Sequence, residues 1–210
     1  MFMSFNRCQE RGFTLLEVLI TIVILAFGLL GLTNLQAKLH MSQMESYQRA
    51  QAVVLLQDFA NRIQANGGDA DDYVTDLNDD GDTGDTDEWL GTGDDIDADE
   101  HADCEVDADY PDTKDKDRCH WSVLLRGAAE LDEDDNPVGG MIGARGCVEA
   151  LPVGAGSCAP SSYRITVAWQ GLFETAAPGL TCAAGQYGAN DALRRAISTT
   201  VTVGLPKCLP

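Results

Sequence analysis

The chain is 210 residues long and 44% hydrophobic, and it carries a formal charge of −20 with an isoelectric point near 4.2. That length holds one modest domain plus an accessory element. The apolar content excludes a wholly disordered chain, and the charge excludes a surface built to meet the phosphates of nucleic acid. The acidity is also local: residues 69–117 hold 22 of the 34 acidic side chains and only 2 of the 14 Lys and Arg, which accounts for the whole imbalance.

The first element is an apolar run. From Phe13 to Leu32 the sole charged side chain is Glu17. Twenty such residues rise about 30 Å as an α-helix, enough to span a bilayer core. Arg7 and Arg11 precede the run and place that end in the cytoplasm. A secretory signal would have a shorter apolar core closed by a small-residue cleavage site, and here the helical pattern simply continues. An apolar stripe through Leu35, Leu39, Tyr47, Ala50, Val54 and Ile63 runs on to Asn66-Gly67-Gly68, which is a fitting stop. No proline interrupts residues 13–66, so the pattern predicts one helix of roughly 80 Å. Residues 13–35 would form its transmembrane part and the remainder would be amphipathic.

The stretch "RGFTLLEVLITIVILAFGLLGLTNLQ" resembles the class III signal of type IV pilins and of type II secretion pseudopilins. Gly12, Phe13, Thr14, Leu15 and Glu17 stand where that family has them. "FGLLGLTNLQ" and the terminal "YRITVAWQG…RRAISTTVTVG" look most like the PilV-type minor pilins. The resemblance implies a leader over residues 1–12, a prepilin peptidase that cuts between Gly12 and Phe13, and methylation of the new Phe13 amine. A carboxylate costs about 2.5–3.5 kcal/mol at the membrane centre, and burial is tolerable where it meets an opposite charge. The resemblance implies that Glu17 pairs with the Phe13 amine of a neighbouring subunit. The bland alternative is that Glu17 lies near the cytoplasmic interface and snorkels into water.

The acidic segment, 67–118, reads as a loop-rich insertion. Within it, residues 76–87 fit most of a twelve-residue calcium loop: Asp76, Asn78 and Asp80 at positions one, three and five, Gly81 at the sharp turn, Asp82 offering a carbonyl, and Asp87 closing the set. Ca²⁺ is the one cofactor the sequence suggests. Against it stand Thr83 at a normally apolar position and the ease with which an Asp-rich segment yields such spacing by chance.

The remainder, 119–210, reads as an antiparallel β-sheet head. Four stretches are expected as strands: Trp121 to Arg126, Ala144 to Leu151, Tyr163 to Trp169 and Ile197 to Val203, the last two with clear alternation. The fold class is therefore α+β and pilin-like: a long N-terminal helix packed on a C-terminal antiparallel sheet.

Cys8 precedes the apolar run, while Cys104, Cys119, Cys147, Cys158, Cys182 and Cys208 follow it, so crossing a membrane would deliver an even set to an oxidising compartment. Six cysteines allow fifteen pairings. Chain proximity favours Cys104–Cys119, Cys147–Cys158 and Cys182–Cys208, each contributing roughly 3 kcal/mol by loop-closure arguments. No C-x-x-C pair appears and His40, His101 and His120 are scattered, which sets zinc aside. Gly156-Ser157-Cys158 lacks the spacing of a nucleophile elbow, and Gly139 to Gly143 has no phosphate-binding Lys beside it. No catalysis is expected.

The functional expectation is a minor pilin that primes pilus assembly in a tip complex and supports twitching motility or adhesion. Its expected partners are other minor pilins and the major pilin through the helix, the prepilin peptidase, the inner-membrane assembly platform and a tip adhesin, with no nucleic acid. It would be single-pass in the inner membrane with a periplasmic head, then pass to the pilus or cell surface. The rivals are a type II secretion pseudopilin and a calcium-dependent adhesive module on a pilin-like anchor.

Overall fold

The computed structural model describes residues 12–75, 89–93, 104, 112–127, 141–152 and 160–204. The chain divides after Met44 into two units, the second of which runs from Glu45 and contains the head.

Helix α1 spans Leu15–Ala65. Within the second unit it buries Gln48, Ala52, Leu55, Leu56, Phe59 and Ile63, a set spaced by threes and fours that lies on one helical face. The stripe expected from the sequence is corrected here. Of its named residues only Ile63 is buried, whereas Tyr47, Ala50 and Val54 are exposed. The helix is apolar on two faces, and the head covers the one that the stripe did not trace. A 3₁₀ segment, Gly67–Tyr73, follows the helix and returns the chain towards the sheet.

Among the described residues the sheet has four antiparallel strands in the order β1-β2-β3-β4. They are β1 (Leu90–Gly91), β2 (Arg145–Leu151), β3 (Ser161–Gln170) and β4 (Arg194–Val203). The two long strands pair along their whole length, from Ser161↔Val203 to Gln170↔Arg194. The outer edge of β2 is shared. β1 covers Gly146 and Arg145, while Thr75 takes Val148, donating its N–H to the Val148 carbonyl and accepting the Val148 N–H on its hydroxyl.

Between β1 and β2 the chain forms α2 (Thr113–Leu125), with Asp112 at its N-cap position. The strand expected over Trp121 to Arg126 is therefore overturned: Trp121 to Leu125 is the last turn and a half of a helix. The reason lies in the periodicity. Asp117, Trp121, Ser122 and Leu125 are buried together, and they stand four, five and eight residues apart on one helical face. In the sequence the charged first half, Lys114 to Arg118, reads as the end of an acidic loop, which divides that face between two segments. Helix α2 runs across the expected 118/119 boundary.

The core lies between the sheet and the two helices. The rings of Phe59 on α1 and Trp121 on α2 stack at 4.0 Å with 9° between their planes, against Tyr73, Val148, Ile165, Val167 and Val201. The Trp121 indole N–H donates to the Leu55 carbonyl at 3.1 Å, so the buried donor is satisfied.

The opposite sheet face is covered by residues 171–193. Tyr187, Cys182 and Ala183 pack there against Cys147 and Ala168. The buried Arg194 organises this segment. Its guanidinium donates to the carbonyls of Leu180, Cys182 and Pro178 at 2.6, 2.9 and 3.1 Å, and it pairs with Asp191 at 3.1 Å.

Two disulfides stand among the described residues. Cys104 is bridged to Cys119 with Cα atoms 5.8 Å apart, the pairing that chain proximity suggests. Cys147 is bridged to Cys182 at 5.7 Å, which overturns both Cys147–Cys158 and Cys182–Cys208. Proximity along the chain failed because segment 171–193 folds back over β2, bringing together two cysteines 35 residues apart.

Candidate functional site

Gly12, Phe13 and Thr14 precede α1 in non-helical backbone. The Gly12–Phe13 peptide bond is thus outside the helical hydrogen-bond ladder, and the Phe13 side chain is 82% exposed. Thr14 opens the helix. Its carbonyl accepts the N–H of Glu17 at 3.0 Å and its hydroxyl accepts the same N–H at 3.3 Å. Thr14 and Glu17 thereby occupy the first and last positions of a T-x-x-E capping sequence. Glu17 also places a negative charge in the first turn, where the helix dipole favours it. The signal for this local arrangement is the spacing Thr14-x-x-Glu17.

From Val18 to Leu32 the helix is apolar on every side. Its most apolar stretch has a mean hydropathy of 2.7, and among the described residues none buries it. Leu15, Leu16, Ile22, Leu25, Phe27 and Leu30 are each about 60–80% exposed. A helix hydrophobic all round takes lipid or other helices around it. Thr21 and Thr33 do not break the pattern, because their hydroxyls donate to the carbonyls of Val18 and Leu30 at 2.8 and 2.9 Å.

In the head, the helix-to-head junction is held by a polar cluster the sequence did not reveal. Asp117 on α2 accepts from Arg62 at 2.7 Å, from Asn66 at 3.0 Å and from the Tyr73 hydroxyl at 2.8 Å. Arg62 also bonds Asp58 one turn earlier. Burial, then the bond to Asp117, pushes the Tyr73 phenol well above the usual tyrosine range. At the other end of the sheet, the Arg145 guanidinium lies 5.2 Å from the ring centres of both Trp89 and Tyr187. A further clasp sits at the start of the head, where Glu45 accepts from the Leu172 N–H and from Arg195, each at 3.2 Å.

The calcium-loop residues Asp76, Asn78, Asp80, Asp82 and Asp87 lie outside the described residues, as do Cys8, Cys158 and Cys208. Among the described residues no three His, Cys, Asp or Glu side chains gather as a metal site. An open acidic cleft of about 290 Å³ lies beside Asn66, Asp69, Asp72, Asp112 and Lys114, where Lys114 bonds Asp72 at 2.8 Å.

Residues 7–33 match the family model of the prokaryotic N-terminal methylation motif. Compared with curated proteins and with solved structures, the chain has no match. The matched motif, together with a helix long and apolar enough to cross a membrane, supports a membrane-anchored protein of the type IV pilin-like or pseudopilin kind.

Proposed function

We propose that this chain is a minor pilin of the PilV type, a non-catalytic subunit that helps prime pilus assembly. The observation that carries the reading is the N-terminal methylation motif over residues 7–33, in which one carboxylate, Glu17, stands in an otherwise uncharged helical run. Cleavage between Gly12 and Phe13 leaves a new amine four residues before Glu17. In the bundle formed by neighbouring helices, that amine of one subunit meets the Glu17 carboxylate of the next and sets their axial register. The ion pair removes the cost of an unmatched charge in lipid, and lateral packing of the uncovered apolar helix supplies the rest.

The partners on this reading are the other minor and major pilins, the prepilin peptidase and the inner-membrane assembly platform. The head sits in the periplasm before assembly and on the pilus surface after it. The acidic segment, with Asp76, Asn78, Asp80, Asp82 and Asp87, takes calcium there and carries any adhesive role.

A deletion strain scored together for surface fibres, twitching and exoprotein release tests the proposal. Loss of fibres and twitching with normal exoprotein release is expected. Loss of exoprotein release with intact fibres would replace this reading with a type II secretion pseudopilin.

A further inference from the structure

We propose that the Arg145 guanidinium, held over the rings of Trp89 and Tyr187, is a binding site for a single carboxylate presented by a partner polypeptide. Arg145 opens β2 two residues before Cys147, and so points to the same sheet face, the one covered by residues 171–193. Its guanidinium carbon lies 5.2 Å from the ring centres of both Trp89 and Tyr187. Two aromatic rings stabilise a cation where water is partly excluded. Tyr187 is buried, whereas Trp89 and Arg145 are half-buried, so the cation is still reached from outside.

What marks the site is how little of the guanidinium is spent. A guanidinium carries five N–H donors. On β4, Arg194 donates to the carbonyls of Leu180, Cys182 and Pro178 and pairs with Asp191, which is how an arginine that only braces a loop is satisfied. Arg145 makes one such bond among the described residues, from Nη1 to the Gly143 carbonyl at 3.3 Å, with the Tyr187 hydroxyl as a further neighbour. No carboxylate among the described residues pairs with it, and its buried Nε has no acceptor. Glycines flank the fork: a Cβ at Gly93 would stand 3.6 Å from Nη2, and one at Gly143 would stand 3.7 Å from Nη1. Their φ angles of +81° and +59° disfavour a side chain at either position, so neither residue covers the Nη1–Nη2 edge.

That edge suits a carboxylate, whose two oxygens accept two parallel N–H bonds of about 2.7–2.9 Å. One cation balances one negative charge, and a chain of net charge −20 repels polyanions such as nucleic acid or an anionic membrane surface. A single carboxylate on an otherwise neutral segment avoids most of that repulsion, because salt screens the more distant charges beyond about 8 Å. Trp, Tyr and Arg are the side chains on which protein interfaces concentrate binding energy. Ile142, next to Gly143 in the chain and 48% exposed, adds an apolar rim. The partner that fits is therefore a polypeptide offering one Asp, Glu or C-terminal carboxylate. The site stands whether or not the chain is a pilin.

The test uses the full chain in detergent micelles, labelled with 5-fluorotryptophan. Its 3 tryptophans give separate ¹⁹F resonances, and Trp89→Phe identifies the one that belongs to Trp89. N-acetyl-leucine presents a terminal carboxylate and N-acetyl-aspartic acid amide a side-chain carboxylate. N-acetyl-leucinamide, N-acetyl-asparagine amide and inorganic phosphate are the controls, all at constant ionic strength. The Trp89 resonance should shift saturably with at least one carboxylate, at millimolar half-saturation, as suits ligands of about a dozen heavy atoms. The tighter of the two identifies the source, and every control should bind at least tenfold more weakly. Arg145→Gln should abolish the shift, and Arg145→Lys should weaken binding at least threefold because lysine lacks the fork. Trp121 and Trp169, both buried, report whether each variant keeps its fold. A Trp89 resonance unmoved by either carboxylate, or moved as readily by the amides or by phosphate, would overturn the proposal. So would undiminished binding in Arg145→Gln or Arg145→Lys. The comparison of carboxylate with amide in the unmodified chain decides the matter even if a variant fails to fold.

Discussion

Gly146 on β2 lies directly beneath the indole of Trp121: a Cβ built on Gly146 would stand 2.3 Å from Cη2 and 2.4 Å from Cζ3 of that ring. The absence of a side chain at Gly146 lets α2 settle onto the sheet, stack Trp121 on Phe59 and reach the Leu55 carbonyl. Gly146→Ala is therefore expected to destabilise the head by about 1–3 kcal/mol through overpacking. Chemical denaturation of the purified chain measures it. In a Trp121→Phe background, which removes the clashing second ring, the cost of Gly146→Ala should shrink markedly. Equal costs in both backgrounds would dissociate the two residues.

Asp117 fastens α2 to the end of α1 and to Tyr73. Asp117→Ala leaves the Tyr73 hydroxyl and one face of Arg62 without their acceptor, and about 2–3 kcal/mol of stability should be lost. The loss falls below that of a fully buried pair because Arg62 keeps its bond to Asp58 at 2.9 Å. Tyr73→Phe removes two bonds, the one donated to Asp117 and the one accepted from Asn66, which keeps its own bond to Asp117, and should cost about 1–2 kcal/mol. Thermal unfolding of the two variants ranks them, and a larger effect for Tyr73→Phe would reverse the assignment of Asp117 as the hub.

The tyrosines set an alkaline limit. Burial raises the phenol pKa of Tyr73, Tyr163 and Tyr187, with bonds to Asp117 and Asp71 adding to it for the first two. The folded state then holds these protons to higher pH than the unfolded chain, whose tyrosines titrate near 10. Stability is fully present below about pH 10 and falls as pH rises above it. Melting temperature followed from neutral pH to strongly alkaline conditions should stay level and then drop, more shallowly in Tyr73→Phe. A drop beginning well below pH 9 would point to other groups.

One pair of substitutions separates the proposed pairing of Glu17 from its place in the first turn of α1. Glu17→Gln keeps a polar side chain in the first turn but removes the charge, whereas Glu17→Ala removes both, and the bonds from the residue-17 N–H to Thr14 survive in each. If the carboxylate serves intersubunit pairing, both variants insert in the membrane and both lose most of their incorporation into fibres, at least tenfold by immunoblot of sheared pili. Gln behaving like the parent would reduce Glu17 to a polar residue of the first turn. Mass spectrometry of the fibre-borne protein should find methylated Phe13 at the N-terminus, and residues 1–12 still attached would refute processing at Gly12.

Calcium binding at Asp76, Asn78, Asp80, Asp82 and Asp87 is expected with a dissociation constant of about 10⁻⁴–10⁻³ M, as suits an extracellular loop. Isothermal titration of the purified chain measures it, and an Asp76→Ala/Asp80→Ala variant should lose the heat signal. No signal at millimolar calcium would return the segment to a solvated acidic loop.

The N-terminal half of this protein was open to reading from the sequence because its determinants are local. The motif matched over residues 7–33 is one contiguous stretch, and α1 is set by twenty apolar residues followed by an unbroken helical period. The alternation of Tyr163 to Trp169 and of Ile197 to Val203 marked β3 and β4 for the same reason: period two along one strand needs no partner to be seen. What only the tertiary structure decided depends on residues far apart in the chain. Trp121 packs flat on the sheet because Gly146 makes room for it, Cys147 meets Cys182 because segment 171–193 folds over β2, and the buried face of α1 is chosen by the sheet it meets. A helix apolar on two sides does not say which side faces its own head, and only packing removes that degeneracy.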